Sequence, residues 1–268
     1  MFRVKFLKNN KNNEWLVRQF ELFRFNESFM AEKFIPRPDI SIMFHFRDTP
    51  CILGKNEIRL EPFFATPILS KSLTLNFQGE MESFVVVCKP TVFSRIFDVN
   101  LSSVPKCGIA LCYDIFYPLW VSLSKMSNIE ERIDCFTNFI NSIQKSGYHP
   151  DPIDDLYEKI VHNCTKNLLK DMIYDCPICQ RTLERNFVKR TGVTPKMLMR
   201  IVRVDYLWSK IKVENAIDYQ DLVFDGHYFD QAHLIKDFQS IIGETPGYFF
   251  NRNLKIIKMF SGRIEGRL

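Results

Sequence analysis

One stretch of this chain occurs twice, 51 residues apart. Gln180-Arg-Thr-Leu183-Glu-Arg-Asn-Phe187, followed by Gly192-Val-Thr194-Pro195, returns as Gln231-Ala-His-Leu234-Ile-Lys-Asp-Phe238, followed by Gly243-Glu-Thr245-Pro246. Six identities share the offset and need no gap. In each copy a Leu and a Phe four apart share one helix face, a Gly can stop the helix, and Thr-Pro can start the next. The C-terminal part must therefore build one helical unit twice and carry two equivalent surfaces.

The chain around the repeat changes character along its length. Up to about residue 90 it reads as strands and turns. Ile40 to Phe46 alternates with its even positions apolar, and Phe63 to Leu69, Leu73 to Phe77 and Phe84 to Lys89 are further β-like runs. Helical spacing follows at Thr91 to Phe97, Tyr113 to Ser124 and Ile129 to Lys145. Ser146-Gly-Tyr-His-Pro150-Asp-Pro152 reads as a boundary. Beyond it helices are expected over 153–163, 166–175, 180–190, 196–212, 218–225, 231–242 and 248–259. The expected fold is α+β: a mixed strand and helix domain over 1–148, then an all-α domain over 149–268 with two helix-turn-helix units joined by a long helix.

Composition narrows the classes. Hydrophobic residues make up 46% of 268, enough for packed cores. No apolar run is long enough for a membrane span, and the N-terminus shows no secretory signal, so a cytoplasmic protein without membrane contact is expected. The eight cysteines are then expected to be reduced and mostly core-filling. Charge is uneven. Residues 181–212 carry nine basic side chains against two acidic, a net of +7, whereas 213–251 carry one against seven, a net of −6.

Two helix-turn-helix units on a connecting helix about 25 Å long suit successive major grooves on one face of a duplex, whose turn is about 34 Å. The C-terminal part resembles the DNA-binding domain of AraC/XylS-type transcriptional regulators. The resemblance rests on both copies of the repeat, on Arg203, and on Tyr228 to Phe238 with Gly243 to Tyr248. It implies that the chain binds promoter DNA. The N-terminal part more loosely resembles an uncharacterised β-plus-helix domain joined to such regulators, chiefly over Phe84 to Val99. Two positions depart from the family pattern. Cys179, a poor cap, opens the first recognition helix where Asp230, a good one, opens the second. His227 stands where the second turn usually has Gly and is expected to need a positive φ.

With Leu183 and Phe187 inward, the outward arc of the first helix holds Arg181, Arg185 and Lys189, flanked by Gln180 and Glu184. Arg reads guanine bidentately and Glu accepts from cytosine N4, while Lys189 and Arg190 are expected on phosphates. The alternative for such an arc is a solvated charged face. The second copy offers Gln231, Ala232, Lys236 and Gln239, with His233 at the edge, where local packing or capping competes with base reading. Phosphates should repel this acidic copy. The first unit is therefore expected to supply most affinity, and the second modest specificity or a contact with RNA polymerase. A protein-interaction regulator that has lost DNA binding is the competing reading.

Other chemistry finds little support. Cys176-Pro-Ile-Cys179 has no second ligand pair for zinc. No phosphate loop or nucleophile motif is present, so neither catalysis nor a cofactor is expected. The N-terminal aromatics (Phe44, Phe46, Phe63, Phe64, Phe77, Phe84, Trp120) read as core. The competing reading makes them a small-molecule effector pocket in which Arg37 and His45 hold an acidic ligand. A homodimer is compatible with all of this.

Overall fold

The computed structural model describes residues 3–8, 13–26, 29–54, 56–105, 108–144, 148–163, 168–174, 176–210, 218–251, 254, 257–258 and 266–267. The ends of the expected helices at 164–167, 175, 211–212 and 259 lie outside them, as do Cys107 and Cys164.

The N-terminal part is two sheets and three helices. A six-stranded sheet has the order β10-β1-β2-β9-β4-β7, and a four-stranded sheet the order β3-β8-β5-β6. The strands are β1 (Arg3–Lys8), β2 (Val17–Phe25), β3 (Phe29–Phe34), β4 (Ile40–His45), β5 (Cys51–Leu53), β6 (Ile58–Arg59), β7 (Phe63–Thr66), β8 (Leu73–Phe77), β9 (Met81–Cys88) and β10 (Gly266–Arg267). The alternation at residues 40–46 separates two buried faces rather than inside from outside. Ile40, Ile42 and Phe44 pack with Phe84, Val86 and Phe136. Those positions face α1 (Pro90–Ile96), α2 (Tyr113–Ser124) and α3 (Ile129–Ile143). The odd positions turn to the second sheet, where Met43 packs with Val85, Val87 and Phe77. Aromatic rings fill the helix side: Phe20 stacks on Phe84 at 5.8 Å and meets Phe136 edge-on at 6.2 Å.

Apart from β10, the elements of the C-terminal part are helices: α4 (Pro152–Asn163), α5 (Leu169–Tyr174), α6 (Gln180–Thr191), α7 (Pro195–Lys210), α8 (Tyr219–Asp225), α9 (Gln231–Ile242) and α10 (Pro246–Phe250). The last of these starts two residues before the expected position and is short. The fold is thus α+β, with two helix-turn-helix units, α5–α6 and α8–α9, joined by α7. Among the described residues no helix is long and apolar enough to cross a membrane.

The two parts share a core. Ile35 and Ile68 of the N-terminal part are buried with Leu183, Phe187, Trp208 and Phe238 of the helical part. Around this seam Arg18 pairs with Asp39 (2.6 Å) and with Glu158 of α4 (3.1 Å), and Tyr157 of α4 donates to Asp39 (2.7 Å). Burial works to raise the Glu158 carboxyl, but the cations Arg18 and Lys89 outweigh it and hold the group below its usual range.

Candidate nucleic-acid interface

The repeat folds the same way in both copies. α6 ends at Gly192 (φ 79°) and α9 at Gly243 (φ 84°), the left-handed turn that glycine adopts without a Cβ penalty. Two residues on, Thr194 Oγ1 accepts from Met197 N (3.1 Å) and Thr245 Oγ1 from Tyr248 N (3.4 Å), so each Thr-Pro caps the following helix. The N-termini differ as expected. Asp230 accepts from His233 N at 2.7 Å, whereas Cys179 caps no backbone group. Cys179 Sγ instead bonds Thr182 Oγ1 at 3.1 Å, and hydrogen bonding with Thr182 draws the thiol below its usual range. His227 does take a positive φ, 50°.

Leu183 and Phe187 of α6 are fully buried, as are Leu234 and Phe238 of α9. That burial fixes the outward arcs. Gln180, Arg181, Glu184, Arg185 and Lys189 are all exposed, and Gln180 Nε2 donates to Glu184 Oε1 at 2.9 Å. On α9, Gln231, Ala232, Lys236 and Gln239 are exposed beside Ile235. His233 is exposed too, but its ring lies edge-on to Tyr228 at 5.2 Å, and Nε2 is 3.9 Å from Asp237. Local packing thus competes with any role in reading bases.

Arg190 is not on the arc, and its expected phosphate contact needs correcting. The residue is 8% exposed and points into the seam between the two parts. Nη1 reaches both oxygens of Asp151 (2.7 and 2.6 Å), Nη2 reaches Asp154 Oδ1 (2.6 Å), and Nε and Nη2 donate to the Thr91 carbonyl (3.1 and 2.9 Å). Those carboxylates are also the start of α4. Asp151 Oδ1 accepts from Asp154 N, and Asp154 Oδ2 from Asp151 N, a reciprocal cap. Burial works to raise the Asp151 carboxyl, but Arg190 outweighs it and holds the group below its usual range. The signal was available in the repeat: 51 residues on, Arg190 aligns with Ile241, and it continues the inward spacing of Leu183 and Phe187.

A second base of the +7 segment is also engaged. Arg200 of α7 pairs with buried Asp237 of α9 (2.9 Å) and donates to Ser240 Oγ (2.6 Å). The linking helix is thereby tied to the second recognition helix. Arg203, the residue of the family pattern, lies over the Tyr228 ring at 6.0 Å.

Both recognition helices end against the N-terminal part. The last carbonyls of α9 are taken up there: Lys33 Nζ and Ser72 Oγ donate to Ile242 O (2.7 and 2.6 Å), Ser72 N donates to Ile241 O (2.7 Å), and Lys33 pairs with Glu244 (2.9 Å). At the end of α6, a Cβ on Gly192 would lie 2.9 Å from the Leu101 carbonyl.

Arg37 and His45, separate in sequence, line one cavity of about 50 Å³ between the two sheets, with Phe64, Phe77 and Ser83. Phe44 and Phe84 are core instead. The acidic ligand of the competing reading does not suit this cavity. Arg37 is already neutralised by buried Glu21 at 2.5 Å, which also lines it. Burial pushes His45 down to about 4, so its ring is neutral at neutral pH. His45 Nδ1 bonds Ser83 Oγ at 2.7 Å, and Nε2 has no partner among the described residues.

No family model matches the chain, and no curated protein does. Similar solved structures include ToxT from Vibrio cholerae, 14% identical over 93% of this chain and 97% of that one, with a TM-score of 0.46. ToxT bound to (E)-4-(8-methylnaphthalen-1-yl)but-3-enoic acid gives 13%, 93%, 97% and 0.47. The AraC-like transcriptional activator CuxR gives 11%, 77%, 86% and 0.29. This chain's own architecture, two helix-turn-helix units on one linking helix, resembles the AraC/XylS type, as its repeat implies.

Proposed function

We propose that this chain is a sequence-specific DNA-binding transcription regulator of the AraC/XylS type, in which the first unit supplies most of the affinity. One observation carries the reading. Arg181, Arg185 and Lys189 stand exposed on a helix whose opposite face is fully buried, in one of two repeated units that share a linking helix. Promoter duplex is the partner. In this reading 1–148 and 149–268 are its two domains.

The shared ends of α6 and α9 supply a route for regulation. A change in the N-terminal domain that moves the 101–103 turn or the Lys33 and Ser72 contacts alters how the two units engage one groove after another. The effector site we infer is the cavity at His45. Its polar lining is an ion pair of zero net charge, the neutral His45 ring and the hydroxyls of Thr66 and Ser83, so it favours a small uncharged molecule with one hydroxyl to meet His45 Nε2. The cavity is smaller than the roughly 150 Å³ that admits benzene, and the flexible side chains of Met43 and Met81 at its wall set how far it can widen. Short alcohols should raise the melting temperature of the native chain, the carboxylates of the same carbon skeleton should not, and His45→Leu should abolish the response. A carboxylate that binds better than its alcohol would overturn this choice of ligand.

The second unit combines exposed Phe224, Phe229 and Tyr248 with exposed Asp218, Asp221 and Asp230. That combination suits a basic protein surface, such as one on RNA polymerase, and it is also what favours the reading in which DNA binding has been lost. Salt decides between them. With Arg181, Arg185, Lys189 and Lys196 exposed on and beside the reading face of the first unit, log K should fall against log salt with a slope of about −3 to −4. A slope near zero, or no binding to duplex at low salt, would leave the protein-interaction reading standing.

A further inference from the structure

We propose that the N-terminal part supplies a wall of the DNA-binding surface itself, the turn at Asn100–Ser102, and that a phosphodiester strand lies between this turn and the arginine face of α6. The inference rests on the DNA-binding reading above and adds a contact that the helix-turn-helix units alone would not make.

Three observations point there. First, the exposed face of α6 is not open on all sides. It forms one wall of a concavity of about 820 Å³, and Asn100 and Ser102 belong to the other wall. A duplex that brings its groove to Arg181 and Arg185 must pass one of its backbones along that turn.

Second, the turn is held in place. Leu101 is buried in the N-terminal core, and its carbonyl sits so close to Gly192 that no Cβ fits between them. Arg190, two residues before Gly192, is fixed to the Thr91 carbonyl of α1. The distance from the turn to the reading face is therefore set by packing on both sides.

Third, the chemistry of the wall matches a phosphate. Asn100, Leu101, Ser102 and Ser103 carry no charge. Asn100 Oδ1 is taken by Ser102 N (3.1 Å) and Ser102 Oγ (2.8 Å), and among the described residues nothing accepts from Asn100 Nδ2. That amide is left as a donor at the rim, opposite three cations and the single carboxylate of Glu184. Neutral donors facing cations across a gap are how backbone-positioning contacts are made.

The test places charge at residue 102, which is exposed, so the fold should tolerate it. Ser124 is the control. It ends α2, beside Leu123, whose carbonyl accepts from Arg132 Nε, and Arg132 pairs with Glu82 at the start of β9. Ser124 is not among the residues that line the concavity. Full-length chains would be titrated against a labelled generic duplex at several salt concentrations. Ser102→Lys should tighten binding severalfold and steepen the salt slope by about one. Ser102→Glu should weaken binding by a similar factor, and neither change at Ser124 should do so. If wild type binds but residue 102 matters no more than residue 124, the inference is wrong. If lysine and glutamate both weaken binding, the turn obstructs the duplex rather than seating it, and the inference is again wrong. If wild type binds no duplex at low salt, the DNA-binding reading has failed and takes the inference with it.

Discussion

Arg190→Ala is expected to destabilise the chain by about 1–3 kcal/mol, the cost of leaving buried hydrogen-bonding groups without their partner. The guanidinium satisfies two carboxylates and the Thr91 carbonyl at once, so its loss takes these donors from that carbonyl and leaves both carboxylates to the Arg95 guanidinium, at 3.3 Å. Asp154 is itself buried and cannot recover its hydration. Asp151 and Asp154 also cap α4, so the damage reaches the helix that joins the two parts. Denaturant unfolding should show the loss directly. At neutral pH the Arg190–Asp151 contribution should be fully present. Because the folded carboxyl titrates below its usual range, the contribution should decline as pH falls through about 4 and below. Arg190→Ala titrated against duplex under conditions where it stays folded should keep most of its affinity. A variant that is as stable as wild type but has lost DNA binding tenfold would restore Arg190 to the phosphate-contacting set and overturn its structural role in the seam.

How far the sequence reveals this protein depends on whether a feature is local. Two copies of one pattern, with Leu and Phe four apart and Gly and Thr-Pro at fixed places, define both recognition helices, their left-handed ends and their caps. Helix periodicity, glycine stereochemistry and N-capping all act within a few residues. The strand alternation at 40–46 was equally legible, but its meaning was not. Only the even positions read as core, yet Ser41 and His45 on the other face are buried too, because a second sheet covers that face. The partner sheet is non-local, and nothing in the run itself announces it. Charge misled for the same reason. Arg190 and Arg200 count toward a net +7, but their carboxylate partners lie 39, 36 and 37 residues away, and a running sum does not see pairing across the fold. The cavity was half legible. Arg37 and His45 do meet there, but Glu21, which cancels the charge of Arg37, comes from a different strand.

Arg185→Ala should weaken specific DNA binding by about 1–3 kcal/mol, roughly fivefold to 150-fold, whereas Lys236→Ala should cost less than about threefold. The two residues are equivalents in the repeat, and both are exposed on the outward arc. Their surroundings differ. Arg185 has Arg181 and Lys189 on either side along the helix face, and its groove holds one acid, Glu184. Lys236 lies in a shallow depression with Ala232, Ile235, Gln239 and Ser240, none of them charged. The nearby Asp237 is already paired with Arg200, yet Asp218, Asp221 and Asp230 remain exposed on the same unit. Each phosphate that approaches α9 therefore meets one cation against several anions, and what Lys236 gains from the phosphate those carboxylates offset. Guanidinium geometry adds to the difference, since only Arg can bridge O6 and N7 of one guanine in a plane. Salt should separate the two variants further. Losing a phosphate contact lowers the slope by about one, so Arg185→Ala should flatten it if the residue touches backbone, and leave it unchanged if the residue reads a base edge. Equal losses for Arg185→Ala and Lys236→Ala at one fixed salt concentration would mean that the units share the duplex evenly, and the electrostatic asymmetry would then have no bearing on recognition.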